Sequence, residues 1–264
     1  MWQVRCLADE LTDVKPRTCL VTGAGRGVGA CIARRLSGAG HRVGLTARTA
    51  SELEETAEGL PGPSLVVEAD LTDPGAADSV VDRVEEVWGP VEILVANAGV
   101  ARSAPLARTD DELWNLHIEL NLSAAFRCIR RTLPGMVAGG WGRIVATGST
   151  ASRSGAKYVC AYTASKHGLL GLVRAVAAET SGSGVTINAV CPGFVDTRVV
   201  DEAVANVAAL TAVEPTAARE QFATMQGHGR LIDPDEVARA IFFLVNEESI
   251  NGQSLVIDGG ALLA

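Results

Sequence analysis

Short apolar runs, each bounded by glycine or polar residues, recur along the whole chain. Because every run is continuous rather than alternating, the pattern predicts strands that are buried on both faces. The predicted strands span residues 19–22, 43–46, 65–68, 93–96, 144–147, 186–190 and 254–257.

Longer segments with a helical spacing of apolar residues separate these runs. The predicted helices span residues 28–38, 50–59, 76–88, 111–138, 158–180 and 235–245. Regular alternation of strand and helix predicts an α/β fold, a doubly wound parallel sheet of the Rossmann type. In such a sheet the ligand crevice lies beyond the carboxyl ends of the strands.

The chain shows no linker or repeat, so a single domain is expected over residues 1–264. Residues 1–17 form an expected N-terminal extension ahead of the first strand. Residues 199–229 interrupt the alternation with an Ala-rich segment that contains proline and no strand. This interruption predicts a helical substrate lid over the crevice.

The charged residues narrow the class of partner. A net charge of −8 argues against nucleic acid, because binding to phosphates needs clustered Lys and Arg. No window approaches 18 apolar residues, and the N-terminus lacks the apolar core of a signal peptide. We therefore expect a cytoplasmic protein without a membrane partner.

The six cysteines and four histidines show no spacing typical of a metal site. The cysteines form no CxxC pair and several lie in apolar runs, which predicts reduced thiols in the core. The histidines form neither an HExxH motif nor a cluster with cysteine. We expect no metal.

A glycine-rich loop follows the first predicted strand and leads into a helix. Its residues are Gly23, Gly25, Arg26, Gly27, Val28 and Gly29. Glycines at this position let a pyrophosphate approach the free amides of a helix N-terminus. A glycine cluster alone would also fit a simple turn, but the flanking strand and helix favour a dinucleotide site.

Two arginines indicate which dinucleotide binds. After the second strand an acidic residue would bind the ribose 2′-hydroxyl of NAD, whereas a basic one would pair with the 2′-phosphate of NADP. This chain has Ala47 and then Arg48 there, and Arg26 projects from the glycine loop. Their joint position predicts NADPH/NADP as the cofactor, although both could instead be ordinary solvated side chains.

Tyr162 lies four residues before Lys166 within a predicted helix. This spacing puts both side chains on one helix face. The lysine ammonium would favour phenolate over phenol and lower the pKa of the tyrosine, so that it exchanges protons near neutral pH. A YxxxK match by itself occurs by chance.

Ser149 lies thirteen residues before Tyr162, directly after the strand predicted at residues 144–147. At the carboxyl end of that strand its hydroxyl could hydrogen-bond the oxygen of a reacting carbonyl. Composition alone does not separate Ser149 from Thr147, Thr150 or Ser152, and a loop serine that bonds its own backbone is the structural alternative.

Together these motifs resemble the short-chain dehydrogenase/reductase family. The matching residues are the glycine loop, Asn97, Ala98 and Gly99, Ser149 with Tyr162 and Lys166, and Pro192 and Gly193 followed by Thr197. They occur in the family's order and spacing and extend over nearly the whole chain. One departure is Ala96, where the family usually has asparagine.

The resemblance implies a role for each matching residue. Ser149 would polarise the carbonyl, Tyr162 would donate the proton in reduction, and Lys166 would lower the pKa of Tyr162 and bind the nicotinamide ribose. Asn121 matches a fourth catalytic residue, which holds a water in a proton relay. The two arginines match members that prefer NADP.

Further cofactor contacts are implied by the same resemblance. Asp70 corresponds to an adenine contact, Asn97 to the residue that braces the central strand, and Thr197 to a contact with the nicotinamide carboxamide. The other implied cofactor-binding residues are Leu71, Ala98, Gly99, Pro192, Gly193 and Val195. For Asp70 and Thr197 a purely structural role is the alternative.

Within the family the chain looks closest to 3-oxoacyl reductases and polyketide ketoreductases, which implies a 3-oxoacyl or polyketide-like thioester substrate. That branch usually carries basic residues before the fifth and sixth strands for docking an acidic acyl carrier protein, and this chain lacks them. Other basic residues could take over this docking role: Arg102, Arg127, Arg130 and Arg131. A CoA ester, a free ketone or a secondary alcohol therefore stays open as substrate.

Two other classes of protein are considered. A non-catalytic nucleotide-binding protein of the same fold is disfavoured by the intact Ser149, Tyr162 and Lys166. An epimerase or dehydratase relative normally has a longer chain and a differently spaced glycine motif.

Wide apolar faces on the two long predicted helices indicate self-association. The residues that carry this expectation include Leu169, Leu170, Leu172, Val173 and Val176. Relatives are commonly homotetramers, and we expect a homotetramer here.

Overall fold

The structure is a computed structural model that describes residues 15–211 and 213–262. In this part of the chain seven strands form one parallel sheet in the order β3-β2-β1-β4-β5-β6-β7. The strands are β1 (Thr18–Thr22), β2 (Arg42–Ala47), β3 (Ser64–Glu68), β4 (Ile93–Ala96), β5 (Gly142–Thr147), β6 (Val185–Pro192) and β7 (Ser254–Ile257). The predicted doubly wound fold is confirmed.

Helices cover both faces of this sheet. The helices in the described residues are α1 (Gly27–Gly38), α2 (Ala50–Glu58), α3 (Ala76–Trp88), α4 (Asp111–Ile118), α5 (Ala124–Ala138), α6 (Cys160–Glu179), α7 (Arg198–Thr211), α8 (Pro215–Thr224) and α9 (Pro234–Asn246). Every predicted strand and helix core is present, with ends shifted by at most two residues.

Continuous apolar strands are explained by two separate cores. Leu20 of β1 belongs to the core on one face of the sheet, with α3, α5 and α6, whereas its neighbour Val21 belongs to the core on the other, with α1 and α9. Successive side chains of a strand point to opposite faces, so a strand covered on both sides needs apolar residues at every position.

The strand order reverses direction between β1 and β4. From β1 the chain builds β2 and β3 on one side, then crosses back to add β4 next to β1 on the other. The loops that leave the carboxyl ends of β1 and β4 therefore diverge, and a crevice opens between them. The glycine loop and Asn97 lie at this point.

The helix predicted at residues 111–138 is interrupted. A five-residue π-helical turn, Glu119–Ser123, separates α4 from α5, and Asn121 lies at its centre. The expectation of a regular helix is wrong here because the Asn121 side chain bonds the backbone of Val100 across the turn. Such insertions often mark functional sites.

The expected self-association face on α6 is also wrong. Leu169, Leu170, Val173 and Val176 are buried in the chain's own core against the sheet. Larger exposed apolar side chains occur instead on α4 and α5, where Trp114, Phe126 and Val137 are each about two-fifths exposed (41%, 42% and 44%).

Residues 199–229 fold mainly as α7 and α8. These helices pack on each other through a small apolar cluster that includes Val200, Val204 and Ala218. A single parallel bridge between Val195 and Ile232 joins the two ends of the chain that flank this segment.

Of the expected extension at residues 1–17, positions 1–14 lie outside the described residues, and these include Cys6. Where the chain is described, no helix is both long and apolar enough to span a membrane.

Candidate active site

The glycine loop after β1 is packed so closely that side chains are excluded. Gly23 adopts a φ of +64°, and a Cβ there would lie 2.9 Å from the Cα of Ala98. A Cβ on Gly29 would lie 2.1 Å from the carbonyl oxygen of Gly23. The loop therefore presses against the start of α1 and the end of β4, which leaves its outer surface as bare backbone.

That bare surface ends in the N-terminus of α1. Arg26 is the N-cap residue, and in the described structure no side chain caps this helix end. The first amides of α1 thus retain unused donors and the positive end of the helix dipole. Thr197 approaches from the other side, with its methyl carbon 3.2 Å from where a Cβ on Gly27 would lie. This cradle fits the pyrophosphate of a dinucleotide.

Arg26 and Arg48, the two arginines predicted to bind the 2′-phosphate, each lie next to a carboxylate. Arg26 donates to Glu52 on α2 at 2.6 Å, and an Arg48 guanidinium nitrogen lies 3.9 Å from an Asp70 carboxylate oxygen. Arg198 at the start of α7 also approaches the same Glu52 oxygen, at 3.7 Å. The three arginine side chains are each about half exposed or more. A phosphate entering here would compete with carboxylates for exposed guanidinium groups.

Glu52 was missed by the sequence analysis. It lies one helical turn before Thr56, whose hydroxyl donates to the Gly25 carbonyl at 3.0 Å, so α2 presents both side chains to the loop. Two polar residues spaced four apart directly after a cofactor-binding strand are the signal that was available.

Asn97 joins the glycine loop to the neighbouring strands. Its side-chain amide donates to the carbonyls of Thr22 at 3.0 Å and Gly23 at 3.3 Å. Its amide oxygen accepts from the Thr147 hydroxyl at 3.1 Å. The implied bracing role agrees with this geometry, which holds the ends of β1, β4 and β5 together.

Ser149 and Tyr162 meet at the carboxyl end of β5. Ser149 begins a short 3₁₀ turn, Thr150–Ser152, and its hydroxyl accepts from the Ala151 amide at 3.1 Å. Tyr162 extends from the first turn of α6, and the two side chains are hydrogen-bonded. The structure thus selects Ser149 over Thr147, Thr150 and Ser152 as the residue next to the phenol.

Lys166 lies one helical turn after Tyr162, on the same face of α6. Its Nζ donates to the Thr147 carbonyl at 2.7 Å and lies 5.8 Å from the centre of the Tyr162 ring. The residue is almost completely buried, and this burial lowers its pKa to about 8. At neutral pH Lys166 is still cationic, but less firmly so than an exposed lysine.

The expected lowering of the Tyr162 pKa is wrong for this structure. Burial raises the pKa of Tyr162, and its hydrogen bond with Ser149 lowers the pKa by less. The physical reason is that the phenolate would lose its hydration, and this cost outweighs the favourable contact with Ser149. Tyr162 is therefore a protonated phenol at neutral pH, which is the form that a proton donor requires.

Asn121 is held by three hydrogen bonds. Its amide oxygen accepts from the Val100 amide at 2.8 Å, and its amide nitrogen donates to the Val100 carbonyl at 3.0 Å and to the Ser165 hydroxyl at 3.0 Å. The side chain also lies close to Lys166, because a Cβ on Gly99 would be 3.0 Å from its oxygen and 3.6 Å from Nζ. Asn121 is thus next to the Tyr–Lys pair, and its implied water-holding role remains a prediction.

The remaining predicted contacts line the same crevice. Asp70 accepts from the amide and hydroxyl of Thr72, which fixes the turn after β3, and Leu71 is buried beneath it. Pro192 ends β6, and Gly193 and Val195 follow it towards Thr197. Ala98 and Gly99 follow Asn97 at the end of β4. Their cofactor contacts stay predictions.

Ser152 and Cys191 contact Ser149 from behind, and these contacts were not predicted from the sequence. The Ser152 hydroxyl accepts a hydrogen bond from the Ser149 amide at 3.1 Å. The Cys191 thiol contacts both serines. Burial raises the pKa of the Cys191 thiol, while hydrogen bonds from the two serines lower it less. The five cysteines in the described residues are all free, and no group of three or more His, Cys, Asp or Glu suited to a metal occurs among them.

Comparisons with known proteins identify the family of this chain. The family model described as short chain dehydrogenase matches residues 17–208. The chain is 37% identical over 249 residues to the 3-oxoacyl-[acyl-carrier-protein] reductase MabA of Mycobacterium tuberculosis, covering 92% of each chain.

Two solved structures share the architecture over most of their length. One is an actinorhodin polyketide ketoreductase variant with NADPH, which has a TM-score of 0.88 and 33% identity and covers 93% of this chain and 97% of the other. The other is a levodione reductase, with a TM-score of 0.87 and 28% identity, covering 92% and 96%.

Proposed function

This chain belongs to the short-chain dehydrogenase/reductase family of oxidoreductases, and from that premise we propose that it is an NADPH-dependent ketoreductase. Its substrate is a ketone, in a 3-oxoacyl or polyketide-like thioester, and its product a secondary alcohol. The observation that carries the proposal is the Tyr162 phenol, hydrogen-bonded to Ser149 and flanked by Lys166 beside the predicted dinucleotide cradle.

Each residue of the site has a distinct task in this reaction. When bound, the reduced nicotinamide supplies the hydride that the carbonyl carbon accepts. Ser149 donates a hydrogen bond to the carbonyl oxygen, and Tyr162 delivers its proton to that oxygen as negative charge develops. The Lys166 ammonium stabilises the phenolate left on Tyr162, and Asn121 fixes the segment that follows β4 beside them.

The reduced cofactor would be held at two places. Backbone amides of the glycine loop and α1 would bind the pyrophosphate, because the glycines leave backbone accessible there and no side chain caps the start of α1. Arg48 and Arg26 would bind the 2′-phosphate. The doubly charged phosphate would then replace the carboxylates of Asp70 and Glu52 as the partner of these arginines. The relative solved with NADPH supports this choice of cofactor.

Tyr162→Phe tests the catalytic proposal. The variant removes the proton donor and keeps the ring, so NADPH should bind as before while the rate of ketone reduction falls by about 10²-fold or more. The control is Tyr158→Phe, which changes the only other tyrosine; its ring is largely exposed. A Tyr162→Phe enzyme with parental turnover would contradict the mechanism.

The thioester is supported by the relatives named as acyl-carrier-protein and polyketide reductases. Carrier docking has weaker support. Arg127 is paired with Glu119 at 2.7 Å, and Arg131 with Asp82 and Glu85. Two of the four substitute arginines are therefore already neutralised by carboxylates, which leaves the CoA ester as a comparable substrate.

A free ketone is the second candidate substrate, because one structural neighbour is named for levodione rather than for a carrier-bound acyl group. The deciding experiment measures NADPH oxidation with one 3-oxoacyl chain presented on an acyl carrier protein, on CoA and on a short free thioester, alongside free cyclic ketones. Preference for the free ketones by kcat/KM would overturn the thioester assignment.

The proposed assembly is a homotetramer in which the exposed apolar side chains of α4 and α5 pack against a second copy. Trp114 and Phe126 are large side chains about two-fifths exposed (41% and 42%), as interface residues often are in an isolated chain. Sedimentation should give a tetramer for the parent and smaller species for Phe126→Asp. A parent that sediments as a monomer would contradict this assembly.

A further inference from the structure

A short extended segment follows β4, and we name residues 99–104 the strap. Three alternate amides of the strap donate to three different elements. Val100 donates to the Asn121 side chain at 2.8 Å, Arg102 to Nε2 of His117 at 3.0 Å, and Ala104 to the Tyr158 carbonyl at 2.7 Å. Because extended backbone has a period of two, one edge of the strap is fixed along its whole length.

The strap runs past the reactive groups to the mouth of the site. At its start, Gly99 lies beside the Asn121 oxygen and the Lys166 ammonium. At its far end it bonds the carbonyl of Tyr158, two residues before the start of the helix that carries Tyr162. Its outer edge meets the predicted lid, because Asn206 of α7 donates to the Ser103 hydroxyl at 3.1 Å. The strap thus connects the catalytic residues with the lid.

His117 is the central anchor of the strap. It lies one helical turn before Asn121, so both side chains leave α4 and the π-helical turn on the side that faces the strap. The residue is completely buried, and its ring lies edge-on to the Tyr162 ring, with 6.1 Å between ring centres. Its Nδ1 bonds the Leu113 carbonyl at 2.8 Å.

The two ring contacts determine the state of His117. A carbonyl oxygen only accepts, so Nδ1 carries the proton, and Nε2 must then offer a lone pair to the Arg102 amide. We infer that His117 is a positioning residue for the ketone. As a neutral imidazole it holds the strap in place beside Tyr162. Because the strap also bonds Asn206 of α7, His117 indirectly positions the contact with the lid as well. The inference rests on the proposed function, which supplies the ketone.

The surroundings keep the imidazole neutral. Burial lowers the pKa of His117, the Leu113 carbonyl raises it by less, and the positive charges of Arg102 and Lys166 lower it further. The Tyr162 ring also packs on the imidazole, and its phenol is uncharged at neutral pH. Protonation of Nε2 would turn the acceptor into a second donor and break the bond to Arg102.

Two substitutions separate positioning from packing. His117→Gln keeps an acceptor near the position of Nε2, whereas His117→Leu fills similar space without one. For His117→Leu we expect the Arg102 amide to exchange with solvent about tenfold faster, and KM for the ketone to rise about tenfold. We expect kcat to change less than about threefold and the Kd for NADPH to stay at the parental value. His117→Gln should restore most of KM.

Ser103→Ala is the matched control for the opposite edge of the strap. It removes the lid contact with Asn206 and should raise KM without changing exchange at Arg102. Parental KM and parental Arg102 exchange in His117→Leu would overturn the inference. So would a KM defect that His117→Gln shares in full, because loss of packing alone would then explain it.

The unmodified protein offers a test that needs no variant to fold. Nitrogen NMR of protein labelled with ¹⁵N-histidine should show His117 as the neutral tautomer protonated at Nδ1. This tautomer should persist to a pH lower than the pH at which an exposed histidine becomes protonated. An Nε2-protonated ring would overturn the inference. Failure of the proposed function is distinguished separately: an active Tyr162→Phe enzyme would overturn the proposed mechanism, but it would leave the His117 tautomer and the exchange rate of the Arg102 amide unchanged.

Discussion

The side-chain oxygen of Asn97 accepts a hydrogen bond from the Thr147 hydroxyl at 3.1 Å. The same asparagine donates to the Gly23 carbonyl in the glycine loop, and the carbonyl of the same threonine accepts from Lys166. One continuous chain of hydrogen bonds therefore runs from the predicted pyrophosphate cradle to the lysine beside Tyr162. These bonds connect the predicted cofactor site with the residues beside the proposed proton donor.

Thr147→Val tests that link. Valine matches the shape of threonine but leaves the buried Asn97 oxygen without its donor, so we expect unfolding to become easier by about 1–2 kcal/mol. NADPH should also bind more weakly, because the loop is less firmly held. Denaturant unfolding and fluorescence titration measure the two effects. Thr147→Ser keeps the hydroxyl and is the control; equal unfolding midpoints for the two variants would count against the link.

Ketone reduction should depend on pH through Lys166. Its pKa is lowered to about 8 by burial, so the ammonium that stabilises the Tyr162 phenolate is lost as the pH rises through that value. The Tyr162 pKa is raised, so the proton to be donated is present at neutral pH. We expect kcat/KM for reduction to be level near pH 7 and to decline above about pH 8. A flat profile from pH 6.5 to 9.5 would contradict this role of Lys166.

Cofactor choice should depend on Arg48 and Arg26. Arg48→Ala removes a charged partner of the 2′-phosphate, so the Kd for NADPH should rise about tenfold or more, while the Kd for NADH changes little. Glu52→Gln should act in the opposite direction by releasing Arg26. The control is Arg34→Ala, an exposed arginine on the far part of α1. Equal losses for both cofactors in Arg48→Ala would show that Arg48 does not read the phosphate.

Gly29→Ala should disrupt the cradle itself. The added methyl carbon would lie 2.1 Å from the Gly23 carbonyl oxygen and 2.9 Å from the Asn97 side chain, so backbone must move. Overpacking of this kind typically costs about 1–3 kcal/mol, and we expect NADPH binding to be lost as well. Gly38→Ala lies on the same helix with nothing within 4 Å of the added carbon. That control should be neutral or slightly stabilising.

Much of the fold was predictable because strand and helix periods are local properties. The seven apolar runs and the glycine loop need only neighbouring residues to define them, and their order implied the crevice. The division of the long helix at Asn121 was not predictable, because its cause is a contact with Val100, twenty-one residues earlier. The burial of Leu169 and Val173 was likewise decided by α6 packing flat on the sheet.

The site divides in the same way. Spacing and the family resemblance together predicted Ser149, Tyr162 and Lys166, since a helix puts residues four apart on one face and β5 ends where the crevice opens. The sequence could not show that Lys166 turns to the Thr147 carbonyl, nor that burial raises rather than lowers the Tyr162 pKa. Both depend on which groups from distant segments surround the side chain and how much water they exclude.

By itself, then, the sequence determined the alternation of strands and helices, the glycine loop and the set of candidate reactive residues, because short-range spacing and side-chain chemistry are written in order along the chain. The tertiary structure alone decided the electrostatic state of Tyr162, the carboxylate partners of Arg26 and Arg48, and the anchoring of the strap by His117. These properties arise from desolvation and from hydrogen bonds between segments far apart in sequence, and neither exists until the chain has folded.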